Sequence, residues 1–168
     1  MSTPDPFASF REEISQAVLD LLAEIPLFSA LSGPEISAAA EAMNVIDVSE
    51  GDVVFLEGER GDYVCFVAEG ALSVSKKVAG SDRRALITTL EKGHSIGEMA
   101  LIDEAPRSAT VVALAPTRLV SLTRNGFEGL IKKDPEIGIK LMKGLARVLS
   151  TNLRRTSSKL ADTLLPVC

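Results

Sequence analysis

Apolar residues recur along this chain at two different periods, and the period changes twice. Near the N-terminal end Ile14, Val18, Leu21, Leu22 and Ile25 follow one another at helical steps. Ser9 and Glu12 ahead of them form a capping-box pattern, and Pro26 ends the run. Ser32 and Glu35 repeat the pattern with Pro34 in the first turn, and Ile36, Ala39, Ala40 and Met43 supply a second apolar face. The spacing predicts a helical segment over 9–43.

From Val45 to Leu122 short β-branched runs alternate with turn signals such as Glu50-Gly51-Asp52, Gly61-Asp62, Glu69-Gly70, Lys92-Gly93 and Pro116. Leu72 and Val74 alternate with Ser73 and Ser75, the period of a strand with one face buried. Seven or eight strands at this spacing predict a sandwich or jelly-roll barrel over 45–122.

Helical spacing returns at Phe127, Leu130 and Ile131. Asp134-Pro135-Glu136 then reads as a helix start: an N-cap Asp, Pro in the first turn, and an acid at the positive end of the dipole. The helix is expected to run to about Leu160, carrying Leu141, Leu145, Leu149, Asn152, Thr156 and Leu160 at steps of three or four. A small barrel cannot cover a helix of that length, so a second surface is expected to do so.

Composition narrows the function classes. Hydrophobic residues make up 46% of the 168, with six Phe, one Tyr and no Trp, so an aliphatic core is expected. The formal charge of −5 and the lack of a long basic stripe argue against DNA binding, which draws its affinity from phosphate neutralisation. Cys65 lies in an apolar run and reads as a buried small hydrophobe; Cys168 is terminal, so no disulfide framework is expected. No leader pattern and no run long enough to span a bilayer are visible, which predicts a soluble cytoplasmic domain that avoids the membrane.

The stretch Gly97-Glu98-Met99-Ala100-Leu101-Ile102-Asp103-Glu104-Ala105-Pro106-Arg107-Ser108-Ala109-Thr110 lies between two strand-like runs. Gly97 permits close approach of a ligand or another backbone. Glu98 to Leu101 can form one helical turn whose free N–H groups suit an anion. Arg107 adds a planar, permanently charged fork, and Ser108 a hydroxyl beside a main-chain N–H. A carboxylate only accepts hydrogen bonds, so Glu98 near a phosphate makes sense if the ligand also carries hydroxyl donors, as a ribose does. The bland alternative is a surface ion pair between Glu98 and Arg107.

This stretch resembles the phosphate-binding cassette of the cyclic-nucleotide-binding domain family, to which the catabolite activator protein and the regulatory subunits of cyclic-AMP-dependent protein kinase belong. Ile25-Pro26-Leu27-Phe28-Ser29-Ala30-Leu31-Ser32 is similar to the family's helical lead-in, and Gly51-Asp52, Glu57-Gly58, Gly61-Asp62 and Glu69-Gly70 resemble its barrel turns. The resemblance covers about residues 20 to 160. It implies a mainly β fold with flanking helices: a jelly-roll β-barrel with N-terminal helices and a long C-terminal helix, one domain over 1–168 with C-terminal helices at 125–163.

Function follows from the same resemblance. It implies a non-catalytic regulatory module for cyclic AMP or cyclic GMP, with no cofactor. Arg107 is implied to pair with the exocyclic phosphate oxygens and Glu98 to accept from the ribose 2′-hydroxyl. Gly97, Met99, Ala100 and Ser108 are implied to offer main-chain groups, and Val74 and Ile87 to line the sugar and base pocket. The long helix is implied to pair with its copy in a homodimer or to close over the pocket, where Asn152 and Thr156 meet a purine edge or fix the register of the pair. The downstream effector is an unknown protein.

There are departures. Cys65 replaces an aromatic residue frequent in the family, and His94 replaces a frequent Asp. Only about eight residues follow Leu160, too few for the helix-turn-helix with which the transcription-factor branch reads DNA. Of the competing readings, a jelly-roll metalloenzyme needs several His ligands, and His94 is the one histidine. A haem or iron–sulfur sensor lacks its cysteine set. A scaffold of the same fold that has lost its ligand would not need Glu98 and Arg107.

Overall fold

The computed structural model describes residue 16 and residues 18–164, and the expected cap at Ser9 and Glu12 lies outside them. Residues 18–24 are helical (α1) and bring Leu21 and Leu22 into the core before a 3-10 turn at Pro26–Phe28. Helix α2 (Gly33–Ala40) begins where Glu35 accepts hydrogen bonds from the Ser32 backbone N–H (2.7 Å) and hydroxyl (2.8 Å). Eight strands follow: β1 (Met43–Val48), β2 (Val53–Phe55), β3 (Tyr63–Glu69), β4 (Ala71–Lys77), β5 (Arg84–Glu91), β6 (Ser95–Ile96), β7 (Thr110–Ala113) and β8 (Thr117–Thr123).

They form two antiparallel four-stranded sheets, ordered β1-β8-β3-β6 and β2-β7-β4-β5. The chain passes repeatedly from one sheet to the other, which is the jelly-roll solution to covering two sheet faces. This is the expected fold.

The period of two in β3 and β8 divides the core in half. Cys65, Val67 and Leu119 point between the sheets, where they meet Leu72, Val74, Leu90, Val111 and Ala113. Val64, Phe66, Val120 and Leu122 point the other way and carry the helices, with Phe28 edge-on to Phe66 at 5.2 Å. Because both faces of β3 are covered, its sequence reads as an unbroken apolar run rather than an alternation.

Two helices close the chain, α3 (Arg124–Lys133) and α4 (Pro135–Leu164). Asp134 caps the second as its sequence predicts: Oδ1 accepts from the N–H groups of Glu136 (3.0 Å) and Ile137 (3.2 Å). Ile137, Leu141 and Leu145 bury against the body. Gly144 sits so close to the 3-10 turn that a side-chain carbon there would overlap the Leu27 carbonyl. Leu160 does not share the buried face with Leu141 and Leu145: it is exposed, as is every described side chain from 150 to 163. Helical spacing shows that a stripe exists, but the body is too short to reach its far end.

Candidate functional site

Strand β6 ends at Gly97, whose φ of 87° turns the chain sharply into a 3-10 turn at Glu98–Leu101. The loop that follows returns to the barrel at Arg107. Its backbone is clamped on both sides, with Arg107 N–H donating to Glu59 O (2.7 Å) and Arg107 O accepting from Gly58 N–H (2.9 Å). Within the loop Asp103 accepts from Ala105 N–H at 3.1 Å. The two ends of the cassette are thus fixed by separate parts of the barrel and meet across a cavity.

Arg107 is 7% exposed, an unusual place for a guanidinium. One edge is satisfied: Nη2 donates to the Tyr63 carbonyl at 2.8 Å. Its plane lies over the Phe55 ring, 3.6 Å from the centroid, and 4.9 Å from that of Tyr63. The Phe55 and Tyr63 rings meet edge to face at 5.3 Å, so they form a shelf. The remaining nitrogen, Nη1, is buried without a hydrogen-bond partner. It lies beside Gly97, at the spot where a β-carbon would stand. Burial pulls the guanidinium's pKa below its ordinary value.

Glu98 is 8% exposed, and its carboxyl is pushed above the ordinary carboxylate range by burial, partly offset by hydrogen bonds from its own backbone and from Asn152. The Asn152 amide, arriving from α4, donates to Oε1 at 2.9 Å. The surface ion-pair reading of Glu98 and Arg107 therefore fails, since both are buried and each bonds elsewhere.

A cavity of about 110 Å³ separates the two. Gly97, Glu98, Met99, Arg107 and Ser108 line it together with Phe55. Of the other expected residues, Ala100 lies in the 3-10 turn. Val74 is buried between the sheets, Ile87 stands 52% exposed on β5, and neither lines the cavity. Asn152 meets Glu98 from outside the lining, and the Thr156 hydroxyl donates one turn back to Asn152 O at 2.9 Å. Phe55 and Tyr63 are the residues the sequence reasoning missed. Nothing in their local spacing ties them to Arg107; the one available signal was that aromatics are scarce in this chain.

Two other reactive groups lie among the described residues. Burial pushes the Cys65 thiol up to about 12, which leaves it inert at neutral pH. His94 Nδ1 lies 2.9 Å from the Glu91 carbonyl within the turn between β5 and β6. Among the described residues no group of three potential metal ligands comes together, and no helix is long and apolar enough to cross a membrane.

Comparison with known proteins is consistent with this geometry. The family model described as "Cyclic nucleotide-binding domain" matches residues 45–134. The CRP-like cAMP-activated global transcriptional regulator of Mycobacterium tuberculosis is 30% identical over 145 residues, covering 86% of this chain and 62% of that protein. The cAMP-dependent protein kinase regulatory subunit of Debaryomyces hansenii is 36% identical over 112 residues, covering 67% of this chain and 24% of that subunit. Both relatives are thus spanned over less than two thirds of their length. The crystal structure of a cyclic nucleotide-binding domain from Methylobacillus flagellatus superposes with a TM-score of 0.82 at 26% identity, covering 93% of this chain and 87% of that one.

Proposed function

This chain belongs to the cyclic nucleotide-binding domain family, and on that premise we propose that it is a non-catalytic sensor that captures cyclic AMP or cyclic GMP in the cavity between Gly97 and Arg107. One observation carries the reading: Arg107 Nη1 is buried and unpartnered at the cavity. A buried charge with an unmet donor is expensive, and a cyclic phosphate supplies both the charge and the acceptor. Glu98, Met99 and Ser108 line the same cavity, and their N–H groups with the Ser108 hydroxyl would add donors there. Glu98, which can only accept while ionised, suits the ribose hydroxyl. Calorimetry with cyclic AMP and cyclic GMP on Arg107→Ala and wild-type protein tests this. A loss of roughly 2–5 kcal/mol in a folded variant is expected, and equal affinities would overturn it.

The homodimer belongs to the same proposal. Facing away from the body, α4 carries Ile139, Met142, Ala146, Leu153, Thr156 and Leu160, and Leu149, half-buried against the core, completes the alternating steps of three and four. Ile139, Leu153 and Leu160 are 57%, 68% and 57% exposed. Such a repeat is the seam of a two-stranded coiled coil, and a second copy of this helix is the complementary surface. Sedimentation of wild type against Leu153→Glu should show a dimer converted to monomer; a monomeric wild type would remove this part.

A further inference from the structure

The outer half of α4 stands clear of the body, yet Asn152 within it gives its amide donor to a carboxylate that is almost out of water. An asparagine at an exposed position has water for a partner, so this choice needs a reason on the other side of the bond. An ionised Glu98 removed from water needs donors, and a carboxylate has room for about four. Asn152 occupies Oε1 from outside the cavity, whose lining includes Glu98 but not Asn152. The carboxylate is therefore approached from two sides: by α4 on one and by whatever fills the cavity on the other.

We propose that Asn152 is a positioning residue: it holds the Glu98 carboxylate from behind, leaving the face toward the cavity free to receive a ribose hydroxyl. The two donors do not compete, since they take different lone pairs of one group. The amide also opposes the effect of burial on Glu98, which favours the ionised, accepting form. Because coupling is reciprocal, a hydroxyl that binds better when Asn152 is in place must in turn strengthen the hold of Glu98 on α4. Ribose recognition and the anchoring of the outer helix are then one equilibrium.

This inference rests on the nucleotide reading above, and the test separates the two. Asn152→Asp keeps the shape of the side chain at an exposed position but replaces the donor with a second acceptor. Affinities of wild type and variant for cyclic AMP and 2′-deoxy cyclic AMP are measured by calorimetry, with hydrogen exchange followed over residues 148–160. We expect the variant to lose about tenfold or more for cyclic AMP and less than threefold for the deoxy ligand. Saturating cyclic AMP should slow exchange in this segment of the wild type, and the deoxy ligand should not. Equal losses for both ligands, or no loss, would overturn the role of Asn152 while leaving the nucleotide reading intact. A wild type that binds neither of these ligands, nor cyclic GMP, would overturn the nucleotide reading first and this inference with it.

Discussion

Gly97 and Arg107 share one volume: the place where any other residue at 97 would put its β-carbon is taken by Arg107 Nη1. The Phe55 ring crowds the same point, 2.9 Å from that position. The glycine is therefore required twice, once by its φ of 87° and once by the guanidinium. Gly97→Ala should cost about 1–2 kcal/mol in backbone conformation alone and should also weaken cyclic nucleotide binding by displacing Arg107. Gly51→Ala, with a φ of 86° and open space around it, is the matched control. Urea denaturation and calorimetry on both should show similar backbone penalties but a binding defect only at 97.

Phe55 has a second task besides filling the barrel. Phe55→Leu removes the ring beneath the guanidinium, and we expect a loss of about 0.5–2 kcal/mol in ligand binding. Val111→Ala, at another buried position lining the same cavity, is the comparison. It should lower stability without a matching loss of affinity, as read by parallel thermal melts and titrations.

Glu98 gives a prediction with a definite sign. Its pKa is raised in the folded state by burial, so the stability linked to its protonation is fully present below the ordinary carboxylate pKa and is lost as pH rises through the folded value. Glu98→Gln removes that titration. The ligand-free variant should be more stable than wild type at neutral pH, and the gap should close on acidification. Its affinity for cyclic AMP should fall by about 1.5–3 kcal/mol. Denaturation series at several pH values, with and without ligand, check both halves.

Glu35 behaves in the opposite sense. A hydrogen bond from Lys140 (2.6 Å), reinforced by the backbone and hydroxyl of Ser32, lowers its pKa from 4.5 to about 2 and ties α2 to α4. Stability from this group is present above pH 4.5 and is lost as pH falls toward 2. Lys140→Met should reduce stability at pH 7 and much less at pH 2–3 in a chemical denaturation series, flattening the acid limb relative to wild type.

How far the sequence could be read depends on whether partners are neighbours in the chain. The cassette could be singled out because Gly97, Glu98, Arg107 and Ser108 lie within one short stretch that resembles the family's phosphate-binding cassette; their residue types alone left a surface ion pair open. Phe55 and Tyr63 reach the same site from β2 and β3, and only the folded barrel brings them under Arg107. Ile87 shows another limit. The pairing of β4 with β5 slips between Val74 and Ser75, so Ile87 is the extra residue of a bulge and simple alternation cannot assign its face. On α4, steps of three and four fit two stripes, one headed by Leu141 and the other by Ile139. Only the position of the body decides which is buried.

The tight seat of Gly144 against Leu27 offers a point about which α4 would tilt as a lever. Its fulcrum lies at that glycine, where no side chain cushions the helix from the turn below. Asn152 engages the arm about 12 Å further out, and the tip at Leu164 lies about 30 Å out, at 1.5 Å of rise per residue. Tilting about this fulcrum multiplies displacement in the ratio of those arms, so ~1 Å of movement where Asn152 meets Glu98 sweeps the tip through ~2.5 Å. A rearrangement no larger than the making of one hydrogen bond would then be enough to shift the far end of the helix by about half the pitch of one of its turns.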